Sequence, residues 1–144
     1  MVDSGKAKKF LLLKPSSSAL SLERELYIKK DAVNVSKYRS RFRFNCMKTN
    51  ELLNKYKLHE NPFCDECKDQ IESREHLLLE CPVYEIKRTE LRNELDFLKV
   101  NLNLNILLGD FSSIKKKSKN LQLQVLNRTG QFLDYITIAR KLNI

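Results

Sequence analysis

The stretch "CDECKDQIESREHLLLECPVYEIKR", residues 64–88, holds three of the chain's four cysteines and one of its two histidines. The spacing is Cys64-x2-Cys67-x8-His76-x4-Cys81. A C-x-x-C pair on a tight turn points two sulfurs at one centre, and backbone N–H groups of such a turn can bond to the thiolates. Three thiolates and one imidazole make a closed tetrahedral shell of the structural Zn²⁺ type, with no position open for water. That closure argues against hydrolytic metal catalysis. "SREHLLLEC" reads as a short helix with Ser73 as N-cap, stopped by Pro82, because the residue before proline avoids helical dihedrals. Five positions at 3.6 residues per turn would set His76 and Cys81 ~140° apart. The helix is therefore expected to distort or end at or just before Cys81. Three other readings stay beside the metal one: a disulfide set, a reactive cysteine nucleophile, and cysteines that merely pack as small hydrophobes. Cys46, outside the cluster, reads as a buried free thiol rather than a fifth ligand.

The surrounding composition fits a small helical protein. The chain has 144 residues, 42% hydrophobic and 31% charged, which suggests one soluble globular domain with loose ends. A domain this size buries roughly 70% of its unfolded surface. Only three glycines and three prolines argue against a turn-rich all-β fold. The apolar run Phe10–Leu13 is too short for a signal peptide, and no stretch approaches the ~20 apolar residues of a membrane span. An intracellular setting, nuclear or cytoplasmic, with reduced thiols is expected; there clustered Cys and His read as metal ligands. The net charge of +9 divides into +8 over residues 1–60, −4 over 61–99 and +5 over 100–144. Basic flanks around an acidic centre suit a polyanion, most simply nucleic acid, although lysines that only keep a surface soluble would look the same.

Five segments follow from the pattern. Residues 1–18 read as a flexible basic lead-in, 19–60 as a basic helical segment, and 61–99 as the zinc segment with a following helix. Residues 100–120 read as a connection and basic loop, and 121–144 as a C-terminal helix. In "SLERELYIKK", Leu22, Leu26 and Tyr27 have helical spacing, with Ser18 or Ser21 as the start. "VSKYRSRFRFNC" fits a strand or a helix; its neighbours favour helix, with Val35, Tyr38 and Phe42 on one face and Ser36 near the cap. "TNELLNKYKL" is a helix capped by Thr49 or Asn50, with Leu52, Leu53 and Tyr56 inward. "PVYEIKRTELRNELDFLK" carries an apolar stripe of Val83, Ile86, Leu91, Leu95 and Leu98, with Pro82 in its first turn. "VNLNLNILLGD" alternates like a strand and reads as an extended connection or short strand. In the last helix Val125, Phe132, Ile136 and Ala139 share a face, and Gly130 marks close packing. The expected fold class is mainly α: a small helical domain organised around one structural Cys3His zinc site.

The run "NPFCDECKDQIESREHLLLECPVYEIKR" resembles the C-terminal zinc-binding segment of non-LTR, jockey-like retrotransposon polyproteins. Pro62, Phe63, Cys64, Cys67, His76, Leu77, Leu78, Cys81, Pro82, Tyr84 and Arg88 occupy the places of that pattern. Upstream, Arg41, Phe42, Arg43, Asn50, Leu53 and Leu58 are similar to the same family, and downstream "VLNRTGQFL" is similar to its ending. The likeness covers roughly residues 36–135. Phe44, Asn45 and Cys46 replace a Thr-Gly-His triplet of the family. Lys68 stands where a glycine often follows the second cysteine, so the metal turn needs a positive φ or a different shape. No Tyr-x-Asp-Asp polymerase signature and no ribonuclease H carboxylate set is present.

The resemblance implies a non-catalytic zinc module that binds RNA or DNA, a fragment or derivative of a reverse transcriptase polyprotein. Its partners would be RNA, DNA or the remainder of such a polyprotein, with no membrane and no small-molecule substrate. Lys37, Arg39, Arg41, Arg43 and Lys48 are the candidate phosphate contacts, with Lys115, Lys116, Lys117 and Lys119 as a second patch. Tyr38, Phe42 and Phe44 lie among the arginines and would either stack on bases or form core. A zinc-organised protein-interaction module is the alternative, supported by the acidic helix with Glu85, Glu90, Glu94 and Asp96.

Overall fold

The computed structural model describes residues 26–142. Residues 1–18, Leu22 and the serines proposed to start the first helix lie outside the described residues. Six α-helices are found among those described: α1 Leu26–Lys30, α2 Val33–Arg43, α3 Asn50–Lys55, α4 Glu85–Phe97, α5 Leu104–Leu107 and α6 Lys119–Arg140. No strand is present there; one isolated antiparallel bridge pairs Phe63 with Ile71. The mainly helical expectation therefore holds.

The long helix α6 is the hub, and α2, α4 and α5 pack against it. Its buried face carries Val125, Leu126, Thr129, Gly130, Phe132, Leu133 and Ile136, while Ala139, expected to face inward, is exposed. Ser118 starts the helix by accepting the Leu121 N–H at 3.1 Å, two residues earlier than the apolar pattern suggests. Gly130 does mark close packing. A Cβ there would lie 3.1 Å from an Arg39 guanidinium nitrogen and 3.2 Å from Val35 Cγ1, so α2 crosses α6 at this point.

Two elements differ from expectation for identifiable reasons. "VNLNLNILLGD" is not a strand: Asn103 accepts the Ile106 N–H at 2.9 Å and caps α5, which buries Ile106 and Leu107. In the helix after Pro82, residues Pro82–Tyr84 form a 3-10 turn. The buried row is then Tyr84, Arg88, Leu91 and Leu95, and the expected stripe members Val83 and Ile86 face outward. In α3, capped by Thr49, Leu52 and Leu53 are half-buried and Tyr56 is exposed.

Helices α2 to α6 end alike. Asn45, Lys57, Lys99, Gly109 and Lys141 each take a positive φ just past the helix. The next residue donates back across the last turn, as in Cys46 N–H to Arg41 O and Val100 N–H to Leu95 O at 2.8 and 2.9 Å. This is the left-handed termination that satisfies orphan carbonyls. Only one of the five positions is glycine. Gly109 has φ +88°, and a Cβ there would sit 2.8 Å from Tyr27 Cδ1. Tyr27 cannot easily yield, because Arg43 lies over its ring at 5.5 Å and its hydroxyl meets Ser40 Oγ at 3.2 Å. Gly109→Ala is expected to destabilise the fold by about 2 kcal/mol, read from a urea melt, from backbone strain plus overpacking.

Candidate metal centre

Cys64 and Cys67 sit on a small hairpin. Glu72 N–H donates to Pro62 O and Cys64 N–H to Gln70 O, both at 2.8 Å, and Lys68 N–H closes the turn on Cys64 O at 2.9 Å. Lys68 has φ +61°, the positive dihedral expected where the related pattern often has glycine. Its side chain is exposed. Lys68→Gly should therefore stabilise the hairpin by on the order of 0.5 kcal/mol in a thermal melt, removing left-handed strain but adding chain entropy.

His76 and Cys81 come from the next turn. Ser73 Oγ accepts the His76 N–H at 3.0 Å, which makes Ser73 the cap the sequence suggests. The expected distortion takes a specific form. Residues His76–Glu80 form a π turn, closed by Cys81 N–H donating to His76 O at 2.7 Å. A bond to the fifth residue back widens the turn, so Cys81 returns to the face of His76. Cys81 itself is extended, with ψ 122° before Pro82.

The four ligand atoms lie within 4.8 Å of one another, close enough to bind a metal ion. Cys64 Sγ is 3.9 Å from Cys81 Sγ, and Cys67 Sγ is 3.4 Å from His76 Nε2. The sulfur separation is far from the ~2.05 Å of a disulfide. Cys64, His76 and Cys81 are buried and Cys67 is half-buried. The remaining ring nitrogen, His76 Nδ1, is buried and has no hydrogen-bond partner among the described residues. Cys46 is exposed and stands apart from the cluster, so neither the buried-thiol expectation nor a fifth-ligand role applies.

Backbone amides surround the sulfurs. The nearby backbone N–H groups of Cys67 and Glu66 favour the Cys64 thiolate, those of Asp69 and Gln70 that of Cys67, and that of Val83 that of Cys81. Burial nevertheless pushes the Cys64 thiol up and the Cys81 thiol up to about 12. Cys67, held chiefly by the Asp69 N–H, lies below the ordinary thiol value. A bound cation would invert this logic and hold all three as thiolates.

Two buried ionic groups tie the cluster to the helices. Arg88 is fully buried and donates to Leu78 O at 3.1 Å and Cys81 O at 3.0 Å, satisfying carbonyls at the π turn. It also pairs with Glu85 at 2.6 Å. On the hairpin side, Glu72 accepts from Arg140 at 2.6 and 2.8 Å and from the Asn50 N–H at 2.7 Å. Hydrogen bonding to Glu72 holds the Arg140 guanidinium above its ordinary pKa. No sequence signal marks Glu72 or Arg140; they are ordinary charges until the hairpin meets the end of α6.

The candidate phosphate contacts separate into two groups. Arg39 is fully buried: it pairs with Asp31 at 2.6 Å and donates to Leu107 O at 2.6 Å, Leu126 O at 2.7 Å and Thr129 Oγ1 at 3.0 Å. Arg43 is buried over Tyr27. These two are core residues, a correction to their assignment as surface cations. Lys37, Lys48, Lys115, Lys116, Lys117 and Lys119 are exposed, and Arg41 is half-buried. Tyr38 and Phe42 are core, while Phe44 remains exposed.

Comparison of the chain with protein-family models, curated proteins and solved structures gives no match. Among the described residues, no helix is long and apolar enough to cross a membrane.

Proposed function

We propose that the chain is a zinc-stapled, non-catalytic nucleic-acid-binding module, akin to the C-terminal segment of non-LTR retrotransposon polyproteins. The closed Cys3His cluster is the observation that carries the zinc reading. A tetrahedral site with Zn–S of about 2.3 Å and Zn–N of about 2.0–2.1 Å has S···S edges of roughly 3.8 Å and S···N edges of roughly 3.6 Å. The Cys64–Cys81 and Cys67–His76 separations of 3.9 and 3.4 Å fit two of the six edges, and all four atoms lie within 4.8 Å of one another. Cys64, Cys67, Cys81 and His76 Nε2 would hold the ion and leave no site for substrate water, which makes its role structural. Lys68 in a glycine-like turn and Arg88 on the π turn give physical roles to two further positions of the resembling pattern.

The exposed lysines outside the acidic centre support the nucleic-acid reading. Salt titration of binding to single-stranded RNA tests it: log K should fall linearly with log salt, at ~0.7 per phosphate contact. Absence of any salt-sensitive binding at low salt would remove this reading. The purified chain should neither synthesise nor cut nucleic acid, as polymerase and nuclease assays would report.

A protein-interaction role is the second reading. It is favoured by α4, where Ile86 and Phe97 are 78% and 87% exposed on one face of a helix with four acidic and three basic residues. That exposed apolar pair suits a protein partner.

A further inference from the structure

We propose that one face of α2, with the turn that follows it, is where single-stranded nucleic acid binds: Lys37 and Arg41 on phosphates, Phe44 against a base. The inference rests on the nucleic-acid reading above and narrows it to one surface.

Helix α2 turns Tyr38, Arg39, Phe42 and Arg43 inward. Lys37, Arg41 and Phe44 are four and three residues apart, so they form one row on the opposite side. Phe44 is the C-cap and is 42% exposed. Beside the row lies a cleft of about 290 Å³, lined by Ile28, Asp31, Ser36, Lys37, Ser40 and Arg41 among others. The cleft is an open groove on the surface beside the row.

The cleft is rich in donors. Lysine and arginine have no acceptor atoms. The only carboxylate there is Asp31, and both its oxygens are taken by Arg39, at 2.6 and 3.4 Å. Among the described residues no acidic group pairs with Lys37 or Arg41. The complementary ligand is an acceptor-rich anion, and the arginine fork matches a phosphate.

The aromatic makes the ligand a nucleic acid rather than any polyanion. Phe44 lies beside cations and, among the described residues, no cation covers its ring. Other exposed rings differ. Lys55 lies over Tyr56 at 5.9 Å and Lys87 over Tyr135 at 5.1 Å. Phe63 and Phe97 sit in the acidic centre of the chain. The loop of Lys115, Lys116 and Lys117 has cations, but its nearest aromatic in sequence, Phe111, is buried.

The test is fluorescence anisotropy with labelled oligouridylate and oligothymidylate over a salt series. K37Q/R41Q should weaken binding roughly tenfold and lower the salt slope by about 1.4, two single-strand contacts' worth. F44A should cost roughly fivefold on both oligomers, the low end of base stacking, and nothing on inorganic polyphosphate. K87Q/K99Q removes the same charge from exposed lysines of the acidic centre and should stay within about threefold of wild type. Variant melting temperatures should match wild type, since these side chains are not buried. The tighter of the two oligomers assigns RNA or DNA as the source. If the α2 variants bind like wild type, or F44A is silent on both oligomers, the inference is overturned while the broader reading survives. If the wild-type chain shows no salt-sensitive binding, the broader reading falls and takes the inference with it.

Discussion

Cys64→Ser is expected to cost the chain its metal and its cooperative thermal transition together. Cys64 Sγ is buried 3.9 Å from Cys81 Sγ, and three sulfurs share the site with one imidazole. A serine hydroxyl keeps its proton at neutral pH and cannot replace a thiolate as a soft ligand. Structural zinc contributes ~10–16 kcal/mol apparent in small zinc-finger peptides. That compares with the ~5–15 kcal/mol net stability of ordinary domains. Apart from an ion, the hairpin and π turn are held by the hydrogen bonds of Arg88 and of the Glu72–Arg140 pair and by the burial of Leu77 and Leu78. Metal stoichiometry and a circular-dichroism melt read the effect. Cys46→Ser changes an exposed thiol outside the cluster and should leave both at wild-type values. Acid should release the metal from the wild-type protein, since protons compete for the same ligand atoms. Retention of full metal content by Cys64→Ser would show that the ligands are assigned wrongly.

Arg39→Met is expected to destabilise the fold by about 3–5 kcal/mol, the usual cost of breaking a buried ionic network. The substitution keeps much of the side-chain volume but takes a donor from four acceptors. Asp31, whose side chain is 5% exposed, loses its partner. Leu107 O, Leu126 O and Thr129 Oγ1 lose their donor in the seam between α2, α5 and α6. Burial disfavours both charges, raising the Asp31 pKa and lowering that of Arg39; their mutual pairing opposes both shifts. Arg39→Lys should rescue only a fraction, because an ammonium cannot reach three divergent acceptors with a planar fork. The melting temperature should fall by on the order of 10–20 °C. Unchanged melting in Arg39→Met would mean the guanidinium is dispensable to the core.

The candidate metal-binding cluster was legible because its constraint is local. Cys64, Cys67, His76 and Cys81 lie within one short stretch, and their chemistry follows from residue type and spacing alone. The same geometry foretold a broken helix before Cys81, and the π turn is the form it takes. The positive φ of Lys68 was likewise readable as one of two ways to make the metal turn.

The burial of arginines was not legible. Arg39 and Arg88 look like surface charges until their partners arrive, and most of those partners are backbone carbonyls of other elements. With Arg88 turned inward, the buried row runs through Tyr84, Arg88, Leu91 and Leu95, and Val83 and Ile86 are exposed. Helix ends were obscured in the same way. Lys57, Lys99 and Lys141 take the left-handed position that glycine would have announced. In "VNLNLNILLGD" the alternation of asparagine mimicked a strand, whereas Asn103 serves as a cap.

Metal analysis of protein purified without chelator tests the central claim most directly. About one zinc per chain, lost together with cooperative melting on chelation, is the predicted result for a closed Cys3His staple. A metal-free chain that still melts cooperatively, with Cys64 and Cys81 as ordinary buried thiols, would contradict it.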